Sequence, residues 1–196
     1  PDGGERMTTN TTDEFDAVEL EILRIQLESV AEEMGSVLVR GAYSPNITER
    51  RDCSTALFDR NGRMLAQAEH IPVHLGAMPE AVGAVLDCDP RPGDAFLLND
   101  PFQGGTHLPD VTLVSPITHE GDILGYAVSR AHHADVGGGT PGSMPAGARE
   151  IHAEGVRIPP VRYAAGGGRT EAAERVPLAN VRNPDPPRPR PRRQRG

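Results

Sequence analysis

An uninterrupted helical repeat of apolar side chains runs through residues 16–40. Its six members follow one another at alternating spacings of three and four residues: Leu20, Leu23, Leu27, Val30, Met34 and Val37. This spacing places all six along one side of an α-helix. Asp16 and Glu19 form a capping-box pattern at the start, and Gly41 followed by Pro45 is a typical stop. We expect the stripe to be buried in the core, with a seam for a partner helix as the alternative.

Short apolar runs separated by turn residues follow this helix. Asn61-Gly62 lies between the runs 54–58 and 63–67, which is a strong signal for a β-hairpin. Residues 111–117 and 123–129 flank a second turn and predict a second hairpin. A short helix is expected over residues 77–86 and a buried strand over residues 96–99. The predicted fold class is α+β: a long N-terminal helix, then a mixed sheet with hairpins and Gly/Pro-rich loops, as a truncated part of a larger domain.

The two ends of the chain differ in composition from its body. All 20 basic residues are arginines, and five of them lie in the last eleven residues, which contain no acid. We expect residues 1–15 to be a disordered leader and residues 186–196 to be a disordered Pro/Arg tail produced by a frameshift, with a basic arm that binds nucleic acid as the alternative for the tail. The body, residues 16–185, is expected to be the N-terminal portion of a larger domain.

Charge and cysteine content exclude several classes of function. Residues 1–185 carry 15 basic against 28 acidic residues, a net charge of −13, so we expect no nucleic-acid or anionic-membrane partner. No apolar run approaches the ~20 residues that a membrane-spanning helix needs. Two cysteines, Cys53 and Cys88, are too few for a disulfide scaffold, and we expect a cytoplasmic location.

Histidines and carboxylates stand next to the predicted strand ends. His107 precedes Asp110 by three residues, and His132-His133 precedes Asp135 at the end of the second hairpin. Two imidazoles and one carboxylate from such segments could coordinate one divalent metal, Mn, Zn or Fe. Spacing makes His107, Asp110 and His132 the candidate ligands. Surface or hydrogen-bonded core histidines remain the alternative.

Other polar residues have weaker patterns. His70 and His74 are four residues apart, but Pro72 between them breaks helical spacing. Asp100 follows the predicted strand at 96–99 and could equally be a turn residue. Arg50 and Arg51 could clamp a carboxylate or phosphate, or be an ordinary surface pair. The chain has neither a Gly-x-x-x-x-Gly-Lys-Ser/Thr loop nor a Gly-x-Ser-x-Gly elbow, so no familiar ATP-binding loop or serine nucleophile is indicated.

Several long segments resemble one family, the hydantoinase B/5-oxoprolinase family, which also includes the alpha subunits of acetone carboxylases. The segments are residues 18–24, 44–52, 68–79, 98–110 and 131–138. The resemblance implies a B-type subunit of an ATP-dependent hydrolase of cyclic amides, of the hydantoinase or 5-oxoprolinase type. It implies that an A-type subunit binds ATP and phosphorylates the substrate. A subunit of a ketone carboxylase of the acetone carboxylase type is an alternative, and an inactive truncated product or assembly module is another.

The resemblance also implies roles for single residues. The metal ligands would be His107, Asp110 and His132. Acid–base or orienting roles near a bound water would belong to His133, Asp135 and His74, and substrate contacts to Arg50, Arg51, His70 and Asp100. A non-haem iron oxygenase would use similar ligands, but its barrel of many strands does not match a chain that opens with a long helix.

Overall fold

A computed structural model of the chain describes residues 16–69, 74 and 76–182. The helices are α1 (Ala17–Gly41), α2 (Pro45–Thr48), α3 (Met78–Leu86) and α4 (Glu171–Asn180), and a 3₁₀ turn spans Ile151–Ala153. The strands are β1 (Cys53–Asp59), β2 (Met64–Glu69), β3 (Ala95–Leu98), β4 (Asp110–His119), β5 (Asp122–His132), β6 (Val161–Ala165) and β7 (Gly168–Arg169). The expected leader at 1–15, the expected tail at 186–196 and the candidate residue His70 lie outside the described residues.

The described strands form one seven-stranded sheet in the order β2-β1-β5-β4-β3-β6-β7. The α+β class and both hairpins are confirmed. Every described pairing is antiparallel, whereas the sequence analysis expected a mixed sheet. The hairpins β1–β2, β4–β5 and β6–β7 account for three of these pairings, and the pairings β1–β5, β3–β4 and β3–β6 join strands that longer segments connect. In the β4–β5 turn, Glu120 and Gly121 both have positive φ, as a two-residue hairpin turn requires.

The main core lies between α3 and one face of the sheet, which we call the α3 face. Side chains of this face come from β1, β3, β4 and β5 and are buried together with those of the helix: Phe58, Phe96, Leu98, Val114, Val128, Val82 and Val85. Because successive side chains of a strand point to opposite sides, only alternate residues of each strand reach this core. No helix among the described residues is long and apolar enough to cross a membrane.

Helix α1 lies against the opposite face, which we call the α1 face. Its capping box forms as expected, since Asp16 accepts from the Val18 and Glu19 amides and Glu19 accepts from the Asp16 amide. Contact with the sheet is made through Ala31 and Gly35, both buried, and the Thr55 hydroxyl donates to the Ala31 carbonyl over 2.7 Å.

The apolar stripe of α1 is mostly exposed, contrary to expectation. Leu20 is 53% exposed, Val30 46% and Val37 55%. Ala31 and Gly35 are the buried residues of the helix, whereas Val30, Met34 and Val37 border an open groove on the sheet beside Leu113 and Ser129. The repeat therefore identified the helix correctly, but its burial in the core was wrong.

Candidate metal centre

The β4–β5 pairing brings two of the predicted ligands together. Asp110 opens β4 and His132 closes β5, and the two residues are directly opposite each other in the antiparallel register. Both side chains extend from the α3 face, at the end of the sheet beyond the apolar core. Asp110 is only 2% exposed, and its Oδ1 lies 3.3 Å from Nδ1 of His132.

The loop between β3 and β4 supplies the third predicted ligand. Nδ1 of His107 lies 2.7 Å from Oδ2 of Asp110, and the Thr106 hydroxyl donates to the same oxygen over 2.8 Å. The loop can fold this tightly because residue 105 is glycine: a Cβ there would lie 2.3 Å from the carbonyl oxygen of Asn99. The ring centroids of His107 and His132 are 5.0 Å apart. All three predicted ligands therefore meet around one carboxylate.

Two more residues complete the cluster. His74 is buried, and its Nδ1 forms a 2.9 Å hydrogen bond with the Ser54 hydroxyl. Its other ring nitrogen, Nε2, points towards Oδ2 of Asp110 at 3.6 Å. Asp52 precedes β1, and its carboxylate lies 3.9 Å from His74 Nε2 and 3.9 Å from His132 Nδ1. Among the described residues Nε2 of His74 has no hydrogen-bond partner, although it is buried.

The pKa directions follow from this packing. Burial alone would raise the pKa of Asp110, but contacts with His107, His132, His74 and the Thr106 hydroxyl outweigh it and hold the pKa well below its usual range. The hydrogen bond with Asp110 raises the pKa of His107, although burial acts in the opposite direction. Asp110 is therefore a carboxylate at any physiological pH.

This donor set fits a divalent metal ion. One nitrogen or oxygen atom from each of His107, Asp110 and His132 lies within 4.8 Å of the others, and the same holds for Asp52, His74 and Asp110. Imidazole and carboxylate donors suit Zn, Mn and Fe. The buried Nε2 of His74, which faces two carboxylates, is a further donor atom at the same place.

The sequence analysis missed Asp52 and Ser54. Both depend on the pairing of β1 with β5, which is non-local: Cys53 lies opposite Ala131, and the His132 amide donates to the Asp52 carbonyl over 2.9 Å. Two signals were available for Asp52: it ends the family-like segment 44–52, and it lies two residues before the predicted strand at 54–58.

His133 and Asp135 do not join the cluster. His133 follows β5 and borders a groove on the α1 face, because neighbouring residues of a strand point to opposite sides. Asp135 forms an ion pair with Arg182 at 3.0 Å and accepts from the Gly137 amide at 2.7 Å. Burial raises the pKa of Asp135, but these hydrogen bonds together bring it below its usual value. Asp135 thus organises a loop on the far side of the sheet from Asp110.

The residues predicted to contact the substrate also lie outside the cluster around Asp110. The Asp100 carboxylate accepts from the Phe102 amide at 3.0 Å and from Gln103 at 3.2 Å, and lies 3.5 Å from Arg157, so it shapes the loop that leads to His107. Arg50 and Arg51 are exposed between α2 and β1, directly before Asp52. Their proposed contact with substrate stays a prediction.

Comparison with known proteins identifies the family. A family model described as hydantoinase B/oxoprolinase matches residues 16–188. The chain belongs to the hydantoinase B/oxoprolinase family. The 5-oxoprolinase of Dictyostelium discoideum is 40% identical to this family member over 184 residues, which are 92% of this chain and 14% of the relative. The caprolactamase subunit beta of Pseudomonas jessenii is 34% identical over 170 residues, which are 85% of this chain and 29% of the relative.

Two solved structures share the fold of this hydantoinase B/oxoprolinase chain. A crystal structure of the ATP-dependent caprolactamase from Pseudomonas jessenii has a TM-score of 0.77 and 32% identity, covering 86% of this chain and 30% of that one. A nucleotide-free structure of acetone carboxylase has a TM-score of 0.77 and 23% identity, covering 84% of this chain and 22% of that one. The chain spans about a third or less of the length of the curated relatives it matches.

Proposed function

We propose that this chain is the B-type component of an ATP-dependent cyclic amide hydrolase of the hydantoinase or 5-oxoprolinase type, with a divalent metal held by His107, Asp110 and His132. The observation that supports it most is the convergence of two imidazoles on one buried carboxylate, 2.7 and 3.3 Å away. Similarity to relatives named 5-oxoprolinase and caprolactamase supports the choice of a cyclic amide as substrate class.

The metal would supply Lewis-acid activation of a carbonyl or phosphoryl oxygen, or of a bound water. The chain's own residues would orient this chemistry. Thr106 donates to Asp110 and so fixes the rotation of the carboxylate. Ser54 holds Nδ1 of His74 and thereby directs Nε2 towards Asp110, where it would orient a bound water. His133 and Asp135 have no part in this proposal because they lie on the other side of the sheet.

The proposal includes a partner. The similar relative from Pseudomonas jessenii is named as the beta subunit of a caprolactamase, and the similar solved structure is that of an ATP-dependent caprolactamase. We therefore infer that a hydantoinase A-type subunit binds ATP and that this chain works beside it, on a small cyclic amide, in the cytoplasm. Acidity of the chain body agrees with a small-molecule substrate and with neither nucleic acid nor membrane.

The test is reconstitution of the purified chain with the A-type subunit. We expect ADP release and a ring-opened product from 5-oxoproline or hydantoin. Both should be lost in His132→Ala and kept in His119→Ala, because the His119 side chain is exposed at the end of β4. Consumption of acetone and bicarbonate in place of the cyclic amides would show a ketone carboxylase instead. Formation of a complex with no substrate-dependent ADP release would show an assembly module.

A further inference from the structure

Arg130 is a fully buried cation next to the metal centre. It lies on β5 two residues before His132, so its side chain shares the α3 face with that ligand. Its exposure is 0%, and its hydrogen bonds within the described residues all go to neutral oxygens. Asp110 and Glu80 attract the guanidinium only from beyond ion-pair distance. A guanidinium buried in this way is costly for stability, and an apolar side chain of similar size is often tolerated as well or better. Stability alone therefore does not account for an arginine here.

The acceptors of Arg130 belong to the segments that carry the ligands. Nε donates to the Thr112 hydroxyl over 2.8 Å, and Thr112 lies on β4 two residues after Asp110. Nη2 donates to the Gly104 carbonyl over 3.1 Å, three residues before His107. Nη2 also reaches the Ala77 carbonyl over 3.5 Å, three residues after His74. One side chain thus connects β5, β4, the β3–β4 loop and the segment before α3.

The shape of the guanidinium suits this task. Its donors leave a rigid plane in several directions, so they can hold separate backbone segments at fixed distances. A lysine would offer its three donors from a single atom and could not reach the same acceptors together. Nη1 of Arg130 is buried and has no hydrogen-bond partner among the described residues.

We propose that Arg130 is a positioning residue: it holds the loops of His107 and His74 against β4 and β5 and thereby sets the geometry of the metal ligands. This rests on the proposed metal site for its functional meaning, but the mechanical connection is a property of the chain itself. Arg130 contacts no ligand atom directly, and it acts only through the backbone and Thr112.

The first test measures metal binding by the full chain with Co²⁺ alone. Residues that hydrogen-bond metal ligands directly change affinity by roughly 10–100-fold when removed, and for Arg130, which acts one contact further away, we expect the lower end of about tenfold. Arg130→Met is expected to weaken Co²⁺ binding by that factor and to alter the visible ligand-field bands, and Arg130→Lys is expected not to restore either. Arg162→Met is the matched control. Arg162 lies on β6, is half-exposed and pairs with Asp94, so this variant should bind Co²⁺ as the wild type does. Wild-type affinity and bands in Arg130→Met would overturn the proposal.

The second test is peptide-level amide hydrogen exchange without metal. In Arg130→Met, peptides covering residues 99–107 and 76–86 should exchange faster than in Arg162→Met, because both segments lose a fixed carbonyl. Unchanged exchange would overturn the proposal, whatever happens to the metal. A wild type that binds no Co²⁺ would instead refute the proposed metal site, and exchange would then decide the role of Arg130 alone.

A milder variant keeps the proposal testable if Arg130→Met does not fold. Thr112→Val removes only the acceptor on β4. We expect Co²⁺ binding to weaken and amide exchange to become faster in Thr112→Val, but by less than in Arg130→Met. Wild-type values for both measurements in Thr112→Val would count against the connection to β4 and overturn the four-segment arrangement.

Discussion

The two faces of the sheet differ in how they use the same strands. On the α3 face, apolar side chains are closed off by α3 and the polar ones gather at one end around Asp110. On the α1 face, the helix contacts the sheet through small residues and leaves a groove of about 360 Å³, bordered by Leu38, Leu113 and His133. Strand alternation makes this division, so His132 and His133, adjacent in sequence, face different surroundings. Proximity in sequence is therefore a poor guide to membership of the site.

The largest expected effect is on stability and compares the two packing surfaces. Phe58→Ala empties part of the closed core and should reduce the free energy of unfolding by about 3–5 kcal/mol. Leu20→Ala, in the exposed stripe of α1, should change it by no more than about 0.5 kcal/mol. Urea denaturation of the two variants checks this. Equal losses would mean that the stripe is covered, and the contrast between the faces would disappear.

A glycine exchange sharpens the comparison at the site itself. Gly105→Ala places a Cβ against the Asn99 carbonyl, so the loop that carries His107 must shift, at a cost of about 1–3 kcal/mol. Gly41→Ala at the end of α1 is the matched control, because among the described residues a Cβ there meets no atom within 4 Å outside its own helix and chain neighbours. Thermal unfolding should rank the two far apart. A tolerated Gly105→Ala would contradict the close approach of the loop.

The pH dependence of metal binding tests the electrostatics of the α3 face. Asp110 raises the pKa of His107, so a proton competes with the metal at higher pH than it would for a free imidazole. Affinity should therefore fall as pH is lowered through that raised pKa, by up to about tenfold per pH unit below it for one competing proton. Zn²⁺ titrations between about pH 8 and about pH 5.5 measure this, with His119→Ala as a control that should show the same profile. Affinity that is constant or rises towards acid would refute the interpretation.

The smallest expected effect concerns two helix N-caps. Asp16→Ala removes the capping box of α1 and should cost about 1 kcal/mol. Ser44 stands at the N-cap of α2, but its hydroxyl makes no capping bond and, among the described residues, is buried without a partner. Ser44→Ala should therefore be neutral or slightly stabilising. Unfolding midpoints of the two variants check this. A larger loss of stability in Ser44→Ala than in Asp16→Ala would contradict the assignment of the caps.

Local patterns in the sequence predicted the local structure well. Periodicity and caps located α1, and the turn at Glu120-Gly121 fixed a hairpin whose register places Asp110 opposite His132. What failed depends on distant parts of the chain. The site position of Asp52 follows from the pairing of β1 with β5, and the orientation of α1 follows from Ala31 and Gly35 at its contact with the sheet. The β1–β5 pairing leaves no mark in the residues next to Asp52, and the small residues Ala31 and Gly35 gain their meaning only from the distant strands that they contact.

The proposed metal centre of His107, Asp110 and His132 on the α3 face is tested most directly by the metal content of variants at the adjacent histidines His132 and His133. After loading with Zn²⁺ or Mn²⁺ and removal of excess ion, the wild type and His133→Ala should each retain about one equivalent. His132→Ala, and more so the double variant His107→Ala/His132→Ala, should retain almost none while keeping the same circular dichroism. A double variant that still holds one equivalent, or a His133→Ala that loses it, would contradict the account.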